Sequence, residues 1–312
     1  MVYRSGTIAW MGRLRRSRFG FGGVSATARF DGTFFRRPAK LTTGQRRISW
    51  RLAGAAGAVL CVPLFLHPIA SAAETHEANV TIKIAFAGDS LVDNYWAGIT
   101  RLVAANPCPK ITFELGRFAR NSTGLARGDR VYWPREIRRI NDKFKPTLTV
   151  ISIGLNDRQF IVDGKGARTA WGAPEWSDKY RHEIMEFFEG AIASDAIVLV
   201  MGLPVMRDRV ANADATEKDS MFMEAINAIG APNLHYVEPW KLSGSEPDTF
   251  SSYGRAKNGR ILQIRSPDGE HFATDGEDLL AQYLLPVIIG SLKEAGFSVD
   301  QCPNMPQTKA EN

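Results

Sequence analysis

A serine hydroxyl is a poor nucleophile until a base takes its proton. The sequence holds the residue types for such an activation in three separated places. Ser90 lies in "FAGDSL", directly after the apolar run "TIKIAFA". Asp268 and His271 lie close together in "SPDGEHF". One ring nitrogen of His271 could accept the Ser90 proton, and Asp268 could hold the other if the turn between them folds back. Attack on an acyl carbon creates an oxyanion, which needs preorganised donors. The Ser90 amide, at a helix start, is one candidate. The Gly124 amide in "NSTGLA" and the Asn156 side chain in "GLND" are two more. Gly88 allows the strand to break sharply before the serine. Asp89 is expected to order the loop rather than join the triad, because Asp268 suits that role better. Gly154 and Asp157 flank Asn156 as supporting residues.

These residues act together only if the fold gathers them. After residue 78, apolar β-branched runs alternate with amphipathic segments. Strands are expected in "VTIKIAFAG", "KITFELGRF", "TLTVISIG", "AIVLVMGLP" and "NLHYVEPW". Helices are expected in "LVDNYWAGITRLVAAN", "WPREIRRINDKFK", "SDKYRHEIMEFFEGAIAS", "ATEKDSMFMEAINAIG" and "GEDLLAQYLLPVIIGSLKEAG". Ser177 is expected to cap the third of these and Pro286 to kink the last. Strand–helix alternation with continuously apolar strands implies a parallel sheet covered on both faces. Ser90, Gly124 and Asn156 then follow the first three strands, and Asp268 and His271 precede the last helix. All five fall at the carboxyl edge, where open α/β sheets bind ligands. Two long segments, 158–176 and 243–272, break the alternation and are read as functional loops at the same edge. Within and beside them, Arg158, Trp171 and Trp176 form a possible substrate loop: Arg158 for an anionic group, the tryptophans for sugar rings or for loop packing.

Other chemistries fit less well. No Gly-Lys-Ser/Thr follows the first strand, which excludes a phosphate-binding loop, and no G-x-S-x-G elbow occurs. "DGEH" could supply two metal ligands, but His76, His182 and His235 sit in unrelated places. Neither a metal nor a cofactor is expected.

The N-terminus differs from the rest. Residues 1–73 contain twelve Arg or Lys and one acid, whereas the chain as a whole is +6. The remainder therefore carries −5, and the basic balance gives no support to nucleic-acid binding. "GQRRISWR", the uncharged "LAGAAGAVLCVPLFLHPIA" and "SAAET" follow the order of an export signal, with cleavage expected near Ala73. The alternative is an inner-membrane anchor over 52–73. Membrane contact is expected only through this leader if uncleaved. The expected organisation is a basic, disordered leader over 1–51, a signal or anchor over 52–73, one domain over 79–297 and a tail over 298–312.

"GDS" after the first strand, the glycine of the next loop, "GLND" after the third strand and "DGEH" before the last helix resemble the four blocks of the SGNH (GDSL) hydrolase superfamily. The order and spacing match over residues 80–295. "FAGDSL", "NSTGLAR", "IGLNDRQ" and "DGEHFATDG" further resemble a bacterial exported subfamily of poorly defined role. The resemblance implies a flavodoxin-like three-layer α/β/α sandwich with a central parallel five-stranded sheet. It implies a Ser90–His271–Asp268 triad and an oxyanion hole of Ser90, Gly124 and Asn156. The expected activity is that of a periplasmic or secreted serine esterase removing an acyl group, often acetyl, from a small-molecule or glycan ester. An O-acetyltransferase would use the same parts, and a glycan-binding module could keep the fold without turnover. In the implied topology the first and last helices lie side by side with their C-terminal ends together. Cys108 and Cys302, just beyond those ends, are therefore disulfide candidates.

Overall fold

The structure is a computed structural model describing residues 79–238, 249–255 and 259–299. The leader and the tail with Cys302 lie outside the described residues, as do the readings made for them.

Five parallel strands form the central sheet: β1 (Val80–Gly88), β2 (Ile111–Ala119), β3 (Leu148–Ser152), β6 (Ile197–Met201) and β7 (Leu234–Val237), in the order β2-β1-β3-β6-β7. Between β3 and β6 lies a small antiparallel pair, β4 (Ile161–Val162) and β5 (Arg168–Thr169). Another, β8 (Tyr253–Arg255) with β9 (Ile261–Gln263), follows β7. The two segments read as loops thus each contain a hairpin, its strands too short to show a periodicity in sequence.

The pleat of each strand decides which layer a side chain enters. On β1, Ile82, Ile84 and Phe86 face one core and Ala85 and Ala87 the other. The first core is closed by α1 (Ser90–Ala105) and α5 (Thr274–Glu294), the second by α2 (Trp133–Phe144), α3 (Trp176–Ile192) and α4 (Arg209–Ile229). The result is a three-layer sandwich. α1 and α5 approach closely, since a Cβ on Gly98 would stand 2.1 Å from the Glu277 carbonyl oxygen. Cys108, at the turn after α1, is disulfide-bonded.

Helix ends differ from expectation where capping chemistry sits outside the apolar pattern. α3 begins at Trp176 after Glu175, with no side-chain cap, so Ser177 is already inside the helix. α4 begins at Arg209 because Asp208 accepts from the amides of Val210 and Ala211 at 3.0 and 2.8 Å. Its first turn, "RVAN", has no amphipathic signature. α5 runs through Pro286 as one helix.

Strand order reverses between β1 and β3, and a crevice is expected outside the carboxyl ends there. Asp89 closes the base of that crevice. It is fully buried; its Oδ1 accepts from Leu91 N at 2.9 Å. Its Oδ2 accepts from the amides of Gly154 and Leu155 at 2.9 and 3.0 Å. The β1–α1 turn is thereby tied to the loop after β3. Gly88 makes the turn possible, with φ of 149° and no room for a side chain: a Cβ would lie 1.8 Å from Ser152 O.

Candidate active site

Ser90 is the first residue of α1 and His271 lies just ahead of α5, so the packing of these helices brings them together. Ser90 Oγ lies 2.6 Å from His271 Nε2. His271 Nδ1 lies 2.8 Å from Asp268 Oδ2. The other carboxylate oxygen of Asp268 accepts from the amides of Glu270 and His271 at 2.8 and 3.0 Å. Partial burial works to raise the Asp268 carboxyl, but these two amides and the imidazole outweigh it and bring its pKa down to about 2. Asp268 is therefore an ionised acceptor at neutral pH. Nδ1 must then carry the imidazole proton, leaving the Nε2 lone pair facing the Ser90 hydroxyl.

The histidine loop is held by residues that its sequence motif does not include. Arg265, 5 % exposed, donates to the carbonyls of Val205 at 2.9 Å and Glu270 at 2.7 Å. It makes longer contacts of 3.3 Å to those of Gly269 and His271. Burial lowers its pKa to about 10, so it stays a cation. Arg207 donates to Pro267 O at 2.7 Å. Asn94 of α1 accepts from the Phe272 amide and donates to Glu277. The only signal for Arg265 in the sequence is a cation next to the alternating run "ILQI".

On the oxyanion side, the first-turn Ser90 amide has no intrahelical acceptor. The Gly124 amide donates to no group among the described residues. Asn156 gives one amide hydrogen to Thr123 O at 3.0 Å, which aligns its side chain along the Gly124 loop and leaves the other hydrogen for a ligand. Asp157 holds this loop from below. It is fully buried and accepts from Leu125 N, Ala126 N and Tyr180 Oη at 2.9, 2.9 and 2.8 Å. Burial pushes its carboxyl up, against the Lys218 charge and these donors.

The proposed substrate loop divides. Arg158 lines a cavity of about 290 Å³ together with Gly154, Leu155, Leu203, Met206 and Glu270. Trp171 is 38 % exposed, with the Arg158 guanidinium 5.9 Å from its ring. Trp176 is not available for stacking on a sugar. It is 4 % exposed, its indole donates to Gln159 O at 2.8 Å, and its ring stacks on Tyr180 at 4.9 Å. The first position of α3 turns it into the core. No cluster of three or more potential metal ligands occurs among the described residues.

The sheet order β2-β1-β3-β6-β7 is that of the flavodoxin-like sandwich expected from the sequence. Among solved structures, the chain is similar to the psychrotrophic esterase EstA of Pseudoalteromonas sp., at 15 % identity over 68 % of this chain and 98 % of that one, TM-score 0.44. It is also similar to a carbohydrate esterase family 3 protein of Talaromyces cellulolyticus (14 %, 68 % and 99 %, TM-score 0.46). A third is a GDSL-like lipase of Bacteroides thetaiotaomicron (15 %, 68 % and 88 %, TM-score 0.41). No curated protein matches in sequence. The family model described as "Protein of unknown function (DUF459)" matches residues 83–287, and the chain belongs to that family.

Proposed function

We propose that this protein is an exported serine esterase that removes a short acyl group, most simply acetyl, from an envelope or extracellular glycan ester. The observation that carries the reading is the hydrogen-bonded relay Ser90–His271–Asp268, with both links under 3 Å. Ser90 Oγ attacks the acyl carbon while Nε2 takes its proton. The negative oxygen is received by the Ser90 and Gly124 amides and the Asn156 side chain. As the C–O bond to the alcohol breaks, the imidazolium returns the proton to the leaving oxygen. Water then repeats the sequence on the acyl-serine, releasing the acid and restoring Ser90. Asp268 stays ionised throughout and stabilises the imidazolium. The modest cavity beside the histidine loop supports a short acyl group, and the order of charged, apolar and small residues in the leader supports export.

The test is turnover of 4-nitrophenyl acetate and an acetylated xylo-oligosaccharide by the native protein, Ser90→Ala and His271→Ala. Loss of either group should lower kcat by at least about 10³-fold, the scale on which triad members act. Undiminished turnover by Ser90→Ala would refute the mechanism.

A further inference from the structure

A second opening adjoins the loop that carries Gly124. It is a groove of about 510 Å³ whose charged lining is Arg120, Arg130, Arg135, Arg139, Asp129 and Glu136. It borders the catalytic edge through the backbone. The Arg120 amide donates to Gly88 O at 2.9 Å, two residues before Ser90. The Arg130 guanidinium donates to Ser122 O at 3.2 Å, two residues before Gly124.

The charge of this groove is not the average of the surface. Residues 74–312 carry net −5, yet seven arginines fall between positions 117 and 139. Three do not line the groove: Arg117 is paired with Asp93 and Arg127 with Asp129, while Arg138 bonds the Pro134 carbonyl. The lining acids are already engaged. Asp129 is taken by Arg127, and Glu136 is shared by Arg139 at 2.7 Å and Arg120 at 3.4 Å. Arg130 and Arg135 have no carboxylate within ion-pair distance among the described residues. Guanidinium groups present planar, paired donors that match carboxylate and phosphate oxygens.

We propose that this groove binds an anionic group of the substrate, a carboxylate or a phosphate, so that the ester cleaved at Ser90 belongs to an acidic rather than a neutral glycan. The proposal rests on the esterase reading for its substrate and on the arginines for its charge. The two parts separate in the experiment. Binding of an acetylated oligogalacturonide and of an acetylated xylo-oligosaccharide to the Ser90→Ala protein is measured by calorimetry, with Arg135→Gln and Arg135→Lys made in the same background. Inorganic phosphate is added as a competitor, and turnover of 4-nitrophenyl acetate by Arg135→Gln with Ser90 intact is followed in parallel. The expected result is tighter binding of the acidic ligand, weakened about tenfold by Arg135→Gln and less by Arg135→Lys. Turnover of the neutral ester by Arg135→Gln should stay unchanged. Displacement by phosphate at millimolar concentration would identify a phosphate-type group as the preferred anion; its failure would identify the carboxylate. Equal binding of the two glycans, or a preference that survives Arg135→Gln, would overturn the inference even if 4-nitrophenyl acetate is hydrolysed. Acidic preference without ester turnover would sustain the groove and remove the esterase.

Discussion

Replacing Gly124 by alanine tests the oxyanion side with a single methyl group. The Gly124 φ lies outside the left-handed region, so alanine meets no backbone penalty and only the contact is probed. The new Cβ would stand 2.0 Å from Asp157 Oδ1 and 2.5 Å from its Cγ. An ordinary contact needs about 3.4 Å, so one side must give by about 1.4 Å. Asp157 is held by three donors, and moving it leaves buried N–H and O–H groups unpaired at about 1–3 kcal/mol each. Moving the loop instead displaces the Gly124 amide, the proposed oxyanion donor, and losing one such donor costs about 3 kcal/mol, or 10²–10³ in kcat. Gly124→Ala should therefore lose either about 3 kcal/mol of stability or at least about a hundredfold in kcat. The assay is a double-mutant cycle with Asp157→Ala, which removes the obstructing carboxylate, read by urea unfolding and by 4-nitrophenyl acetate turnover. Gly124→Ala should cost much less in the Asp157→Ala background than alone. A Gly124→Ala protein with native stability and kcat, or a cost unchanged by Asp157→Ala, would refute the idea that these two residues meet.

Further outcomes follow from other contacts. Arg265→Met should lower kcat about tenfold or more with little change in KM, because Val205 O and Glu270 O lose the Arg265 donor and the histidine loop its clamp; Arg265→Lys should recover part of the loss. Glu183 is buried, its Oε2 has no hydrogen-bond partner among the described residues, and burial, aided by the Glu186 charge, raises its pKa from 4.5 to about 7. Between those values the folded state holds a proton that the unfolded state has released, so stability falls as pH rises from about 4.5 to about 7 and levels off above. Asp89 and Asp219, also raised to about 7 chiefly by burial, act in the same direction. Glu183→Gln should flatten the slope of the urea midpoint across that window. Trp176→Phe should cost about 1 kcal/mol through the lost indole bond, and Trp171→Ala about 1 kcal/mol or more, because its ring packs edge-on against Trp176 at 4.3 Å; urea unfolding measures both.

The β1 run was legible because a strand buried on both faces has to be apolar throughout, and Gly88-Asp89-Ser90 because a turn with a close backbone approach tolerates few residues. Asp268 and His271 were legible because three positions suit a turn that returns a carboxylate to its own imidazole, as the Nδ1 contact shows. Helix α4 was read six residues short because its start depends on the Asp208 cap and not on an apolar stripe. The hairpins were missed because two- or three-residue strands have no measurable period.

By itself, the sequence determined the class of the fold, the succession of its main strands and helices along the chain and which residues stand at the carboxyl edge. Those features depend on local patterning and on the rules by which strands and helices pack. The tertiary structure alone decided the rest. It placed Arg265 under the histidine loop, turned Trp176 inward, set Asp157 against Gly124 and gathered four arginines from the loop after β2 and from α2 into one groove. Each of these depends on side chains from separate segments meeting in space, and no periodicity within one segment carries that information.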